Sequence, residues 1–161
     1  MEKTLQKKTV QAIVTSTLLA VLVGIAPLAM PGNAGAVAAA EAASERVKVV
    51  YHINDSDNAF GALRNIQNHL EVEPGVKIVV VTHGKGIDFL LKDAKDKNGN
   101  PYEIPVENLK NMGVDFRVCN NTLKSRKLDA DAVIPEARIV PSGVAEIGRL
   151  QAREGFVYLK P

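Results

Sequence analysis

Apolar and polar residues alternate along residues 44–161 in a pattern that predicts strands separated by helices. The predicted strands are five β-branched or apolar runs, at residues 47–53, 76–82, 114–118, 137–140 and 156–159. Between the first two runs, apolar residues from Phe60 to Leu70 recur at helical spacing, which predicts an amphipathic helix. The second run is nearly continuous Val and Ile, as in a strand that is buried on both faces of a parallel sheet.

The other connections are also predicted to be helical. Their helices are expected to begin at Ile87, to span residues 105–112 with a proline in the first turn, to form a short helix or capped turn at 120–128, and to run from Ser142 to Gly155. Such alternation of strands and helices predicts a three-layer α/β sandwich with a mainly parallel five-stranded sheet. We expect a flavodoxin-like strand order, with the first strand between the second and the third.

The first 43 residues differ from the rest of the chain. Three lysines precede a mostly apolar stretch, residues 10–30, and alanine-rich sequence follows it. This order is typical of a secretory signal peptide, with cleavage expected within residues 36–43. An uncleaved anchor is the alternative, because the stretch approaches the ~20 residues that span a bilayer. We therefore expect residues 1–43 to be a signal peptide and spacer, and residues 44–161 to form one domain that is periplasmic or secreted.

Charge and composition argue against several classes of function. The chain has 20 Lys+Arg and 18 Asp+Glu, and they are scattered rather than grouped into a nucleic-acid-binding patch. Aromatic residues make up 4% of the chain and Trp is absent, which argues against a stacking platform for bases or sugars. We expect no cofactor and no nucleic-acid partner, and membrane contact only through an uncleaved leader.

Three residues with reactive or metal-binding side chains end the first three predicted strands. They are His52, His83 and Cys119. Ligands of open α/β sheets bind beyond the carboxyl ends of the strands, so we expect all three residues on one rim of the sheet. Two imidazoles and a thiolate suit zinc or copper, but no metal-ligand spacing supports such a site, and no metal is expected.

Cys119 is the single cysteine, so it cannot form an internal disulfide. Asn120, Asn121 and Thr122 mark a helix start directly after it, and a helix N-terminus lowers the pKa of a thiol. His83 is the second group expected to stabilise the thiolate. These residues predict a reactive Cys119 assisted by His83; the alternative is an inert thiol that closes a buried strand.

The turn after the second strand is a further candidate binding element. Its residues Gly84, Lys85 and Gly86 precede a predicted helix, and backbone N–H groups at such a start bind small anions. The turn has neither the phosphate-loop nor the dinucleotide-binding pattern. Binding of a small anion such as sulfite, sulfate or thiosulfate is compatible with this turn, but the sequence does not require it.

Four segments together resemble the DsrE/DsrF-like family of small α/β proteins linked to sulfur oxidation and sulfur relay. They read V-K-V-V-Y-H-I-N from residue 47, K-I-V-V-V-T-H-G-K-G-I from 77, V-C-N-N-T-L from 118 and V-P-S-G-V-A-E-I-G-R-L-Q from 140. The resemblance covers about residues 47–160 and is greatest to the exported, stand-alone branch. It implies a homo-oligomer, commonly a trimer or hexamer, and in some members a cysteine that carries sulfur as a persulfide.

The sequence thus predicts an exported DsrE-like protein in which Cys119 carries sulfur between a donor and an acceptor protein. If it is an enzyme, it is expected to resemble a sulfurtransferase. The alternative is a non-enzymatic oligomeric module that binds a small anion or metal and keeps Cys119 for structure alone.

Overall fold

The computed structural model describes residues 46–161. The strands are β1 (Lys48–Ile53), β2 (Lys77–Thr82), β3 (Asp115–Cys119), β4 (Ala137–Val140) and β5 (Val157–Leu159). The helices are α1 (Ala59–Val72), α2 (Glu103–Asn111), α3 (Asn120–Ser125) and α4 (Gly143–Glu154), with 3₁₀ helices at Gly84–Leu90 and Ala130–Ala132. The predicted signal peptide and its cleavage site lie outside the described residues. Within the described part of the chain, no helix is both long and apolar enough to cross a bilayer.

The five strands form one sheet in the order β4-β3-β2-β1-β5, and every neighbouring pair is parallel. The predicted five-stranded parallel α/β fold is confirmed. The expected flavodoxin-like order is wrong, because β1 lies between β2 and β5 rather than between β2 and β3. The chain adds β2, β3 and β4 in one direction, and α4 then returns it to the far side of β1. With right-handed crossovers, this reversal places α4 on the face opposite the earlier helices.

The core has one cluster on each face of the sheet. The larger cluster joins α1 and α2 to the sheet and includes the fully buried Ile66, Val80 and Phe116. The smaller cluster includes Val79 of β2 and Leu150 of α4. Successive residues of β2 therefore point into different clusters, which explains why this strand is apolar at nearly every position.

The connection after β2 is packed against the end of β1. Where the sequence predicted a helix from Ile87, the chain forms the 3₁₀ helix Gly84–Leu90. A Cβ added at Gly86 would lie 2.1 Å from the carbonyl oxygen of Ile53, so this approach requires glycine. The contact fixes the path of the chain directly after His83, and with it the position of that histidine at the rim.

We expect Gly86→Ala to destabilise the fold by about 1–3 kcal/mol, because backbone atoms of two adjacent strand ends would have to separate. Gly148→Ala is the matched control, since the space around Gly148 in α4 is open. That substitution should be neutral or stabilise by about 0.5–1 kcal/mol, as alanine favours helix more than glycine. Urea unfolding of both variants tests the expectation, and equal midpoints would contradict it.

Candidate functional site

The candidate site lies at the carboxyl edge of the sheet, where the connections that follow β3 and β4 diverge. The chain leaves β3 on the face of α1, where Leu123 joins the larger core cluster. It leaves β4 on the opposite face, where Ile147 of α4 joins the smaller cluster. Adjacent connections that diverge in this way define the usual ligand-binding position of an open parallel sheet. Cys119 ends β3 at this position, and Gly143 begins α4 beside it.

The Cys119 thiol is surrounded by hydrogen-bond donors from two helix starts. Hydrogen bonding from the backbone N–H of Gly143 in α4, from the hydroxyl and N–H of Thr122 and from the N–H of Asn121 lowers the pKa of the thiol. Burial raises the pKa of the thiol, but these donors outweigh burial and the net pKa lies below its ordinary value. The residue is 5% exposed, so the sulfur atom lies just beneath the surface.

Gly143 makes this arrangement possible because it has no side chain. A Cβ at this position would lie 3.1 Å from the Thr82 carbonyl oxygen, 3.2 Å from the Cys119 Cβ and 3.3 Å from the His83 Cβ. The helix start therefore reaches the ends of both β2 and β3. The helix predicted to begin at Ser142 is capped by that residue, whose Oγ accepts the Ala145 N–H at 3.4 Å. The approach of Gly143 to Cys119 was not predicted from the sequence.

The turn at residues 84–86 supports the thiol indirectly. The Gly84 N–H donates to the Thr122 Oγ1 at 3.0 Å, and the Gly86 N–H donates to the His83 carbonyl at 3.0 Å. Lys85 extends away and contacts Asp57 at 3.4 Å. Two of the N–H groups expected to hold an anion are thus already bonded within the protein. One of them orients the Thr122 hydroxyl that donates to Cys119.

His52 and His83 form a second centre on the same rim. Their Nε2 atoms are 2.7 Å apart, and the Nδ1 of His52 is 2.7 Å from the Tyr158 hydroxyl. At that separation one Nε2 carries a proton and donates it to the other. Burial, followed by the nearby His83 and Lys160, holds the pKa of His52 below its ordinary value. Protonation of His52 is therefore disfavoured in the folded protein.

The rim thus brings the predicted residues together in two groups rather than one. His83 bonds His52, and no hydrogen bond joins it to the Cys119 thiol. Hydrogen bonding from Asn121 and Thr122 lowers the pKa of the thiol, and Asn120 is the half-buried first residue of α3. Over residues 46–161, no three His, Cys, Asp or Glu side chains are grouped so that they could hold a metal ion.

The fold and site define a small parallel α/β protein with a hydrogen-bonded thiol at the divergence of β3 and β4. The chain belongs to the DsrE/DsrF-like family, whose model matches residues 33–161. This confirms the resemblance seen in the sequence, and family membership supports a function related to sulfur relay at the level of the family.

Two solved structures share the fold. MTH1491 from Methanobacterium thermoautotrophicum, described as a protein of unknown function, is 31% identical over 71% of this chain and 99% of its own, with a TM-score of 0.64. The ychN protein from E. coli is 17% identical over 71% of this chain and 99% of its own, with a TM-score of 0.60, and shows the fold alone. No curated protein matches the chain significantly.

We expect Thr122→Val to raise the pKa of Cys119 by about half a unit to one unit, because it removes a hydroxyl donor while keeping the shape of the side chain. Ultraviolet absorbance of the thiolate measures this pKa, after subtraction of the same titration in Cys119→Ser. Thr82→Val is the matched control, since its buried hydroxyl bonds the Arg117 carbonyl instead. An equal shift in both variants would show that the Thr122 hydroxyl has no specific role.

The depressed pKa of His52 predicts a loss of stability in acid. Below the ordinary histidine pKa of about 6.5, the unfolded chain binds a proton that folded His52 resists. Stability should therefore fall as pH drops from about 6.5 towards the folded pKa, and His52→Asn should reduce that fall. Urea unfolding at about pH 7.5 and about pH 5.5 tests this. An unchanged difference between the two pH values in the variant would contradict it.

Proposed function

We propose that this protein carries sulfur on Cys119 as part of a sulfur relay. The observation that carries the proposal is the position of Cys119, which ends β3 directly before α3 and packs against Gly143 at the start of α4. Hydrogen bonding from these two helix starts lowers the pKa of the thiol. A thiolate, not a thiol, is the nucleophile in sulfur transfer, and these donors favour the thiolate. Family membership supports the same class of chemistry.

The proposed transfer needs no external oxidant. The Cys119 thiolate attacks the terminal sulfur of a persulfide or polysulfide donor and forms a new S–S bond. The donor's own S–S bond breaks, and its electron pair leaves with the donor thiolate. The product is a Cys119 persulfide anion, which can pass its terminal sulfur to an acceptor thiolate by the same exchange. With thiosulfate as donor, the leaving group is sulfite.

The burial of Cys119 favours a second candidate function. At 5% exposure the thiol offers little surface to an attacking molecule. In this alternative the protein is a non-enzymatic binding module, and the hydrogen-bonded thiol fastens α3 and α4 to the end of β3. Access to the native thiol distinguishes the two functions, because a carrier must meet its donor while folded.

Incubation of the folded protein with polysulfide or thiosulfate should add one sulfur atom, measured by intact-mass analysis. The added mass should be absent from Cys119→Ser and should be lost on treatment with a reducing thiol. In parallel, iodoacetamide should label the native thiol at a pH below the ordinary thiol range of about 8.5. Labelling that requires unfolding, together with no gain of sulfur, would reject the carrier and leave the binding module.

We also propose that the protein is a homo-oligomer. Within residues 46–161, β5 is an edge strand of the sheet, and its residues Val157, Tyr158 and Leu159 are exposed. An apolar edge strand is a surface that proteins usually cover. The family resemblance implies a trimer or hexamer, which is one way of covering it.

Light scattering at micromolar concentration should therefore return a multiple of the monomer mass. Val157→Lys should dissociate the assembly, because a charge on the edge strand opposes its burial. Val72→Lys is the matched control, since Val72 is exposed at the end of α1. A monomeric wild-type protein, or equal dissociation by both variants, would reject this interface.

Export to the periplasm or medium is proposed from the leader sequence alone. Residues 1–43 carry the order of a Sec-type signal peptide, with no cysteine for lipid attachment and no twin-arginine pair. An exported thiol is exposed to an oxidising compartment. Sulfur exchange with a persulfide partner would protect Cys119 from irreversible oxidation there.

A further inference from the structure

We propose that the buried ion pair between Arg117 and Glu146 is a positioning device that seats the first turn of α4 against the Cys119 thiol. The inference rests on the proposed function of Cys119 for its biological meaning. The structural argument for this role rests on the contacts between β3 and α4. It does not depend on the identity of a sulfur donor.

Arg117 and Cys119 lie two residues apart on β3, so their side chains leave the sheet on the same face. The intervening Val118 points into the larger core cluster on the opposite face. Arg117 and Cys119 therefore both point towards α4. The strand presents a cation and the candidate nucleophile side by side to the same helix.

The Arg117 guanidinium is held in one orientation by its own strand. Its Nε and Nη2 donate to the Asp115 carboxylate at 3.0 and 2.6 Å, and its Nη1 donates to Glu146. The side chains of Arg117 and Glu146 are 6% and 11% exposed, so water screens their interaction weakly. Because Arg117 is fixed at two atoms by β3, it also fixes the position of the Glu146 carboxylate.

Glu146 is the side chain of the first α4 turn that reaches the sheet. Val144 and Ala145 are exposed, and Gly143 has no side chain to anchor. The buried apolar residues of α4, Ile147 and Leu150, come later in the helix. Apolar packing therefore holds the middle of the helix, while the ion pair holds the turn that carries the Gly143 N–H.

The sign of the effect separates positioning from simple electrostatics. A glutamate near a thiolate repels it, so removing the charge of Glu146 should by itself lower the pKa of Cys119. If Glu146 instead seats the Gly143 N–H on the thiol, its removal should raise that pKa. The two mechanisms predict opposite shifts in the same variant.

The test compares full-length Glu146→Ala and Glu146→Asp with wild type by ultraviolet titration of the thiolate, each corrected by Cys119→Ser. Glu146→Ala keeps helix propensity, and Glu146→Asp keeps the charge but shortens its reach, so the second variant serves if the first does not fold. Both variants should raise the titration midpoint of Cys119 by about half a pH unit or more. At a fixed pH below the midpoint, this shift corresponds to about threefold less thiolate. Hydrogen exchange of the Gly143 amide should also become faster.

Glu154→Ala is the matched control, because it removes an equal charge from the same helix that bonds Arg149 rather than Arg117. It should leave the midpoint unchanged. A midpoint that falls or stays constant in the Glu146 variants, even with reduced resistance to urea, would overturn the proposal. Raised midpoints in a protein that takes up no sulfur would keep the positioning role and reject sulfur carriage alone.

Discussion

The contact between the first turn of α4 and the end of β3 is the constraint on which the candidate site depends. It exists because the chain reverses direction after β4 and crosses to the other face of the sheet. The reversal brings the N-terminus of α4 beside a thiol that the preceding crossover leaves at the tip of β3. Gly143 then lets the helix backbone approach within van der Waals contact of β2 and β3. A side chain at that position would move the strongest donor away from Cys119.

Burial and hydrogen bonding act on Cys119 in opposite directions. Burial raises the pKa of the thiol, whereas the N–H groups of Gly143, Thr122 and Asn121 and the Thr122 hydroxyl lower it. An inert buried thiol would be expected to keep the first effect without the second. Because the pKa is lowered overall, hydrogen bonding from the two helix starts has a larger effect on the thiol than burial has. That arrangement suits an anion, whether it is the thiolate or a persulfide formed on it.

Much of the fold could be predicted from the sequence, because burial of a sheet on both faces requires a distinctive pattern. The Val79–Val81 run is predicted as a buried strand on that basis. The strand order could not be predicted in the same way. A right-handed crossover has the same amphipathic pattern whether the next strand is added to the left or to the right of the sheet. The 3₁₀ helix at Gly84–Leu90 was missed because it results from the contact of Gly86 with Ile53, which is distant in sequence.

In the candidate site, too, the residues that follow Cys119 in the chain could be predicted from the sequence, whereas those brought to it by distant contacts could not. Asn121 and Thr122 were predicted as partners of Cys119 because they follow it in the chain, and a helix start is a local signal. Gly143 and the Arg117–Glu146 pair were not predicted, because each depends on where α4 lands after the reversal. His83 was expected at the thiol but bonds His52, since β1 and β2 are neighbours and their ends meet directly. The rim therefore holds a hydrogen-bonded histidine pair and the Cys119 thiol as separate centres.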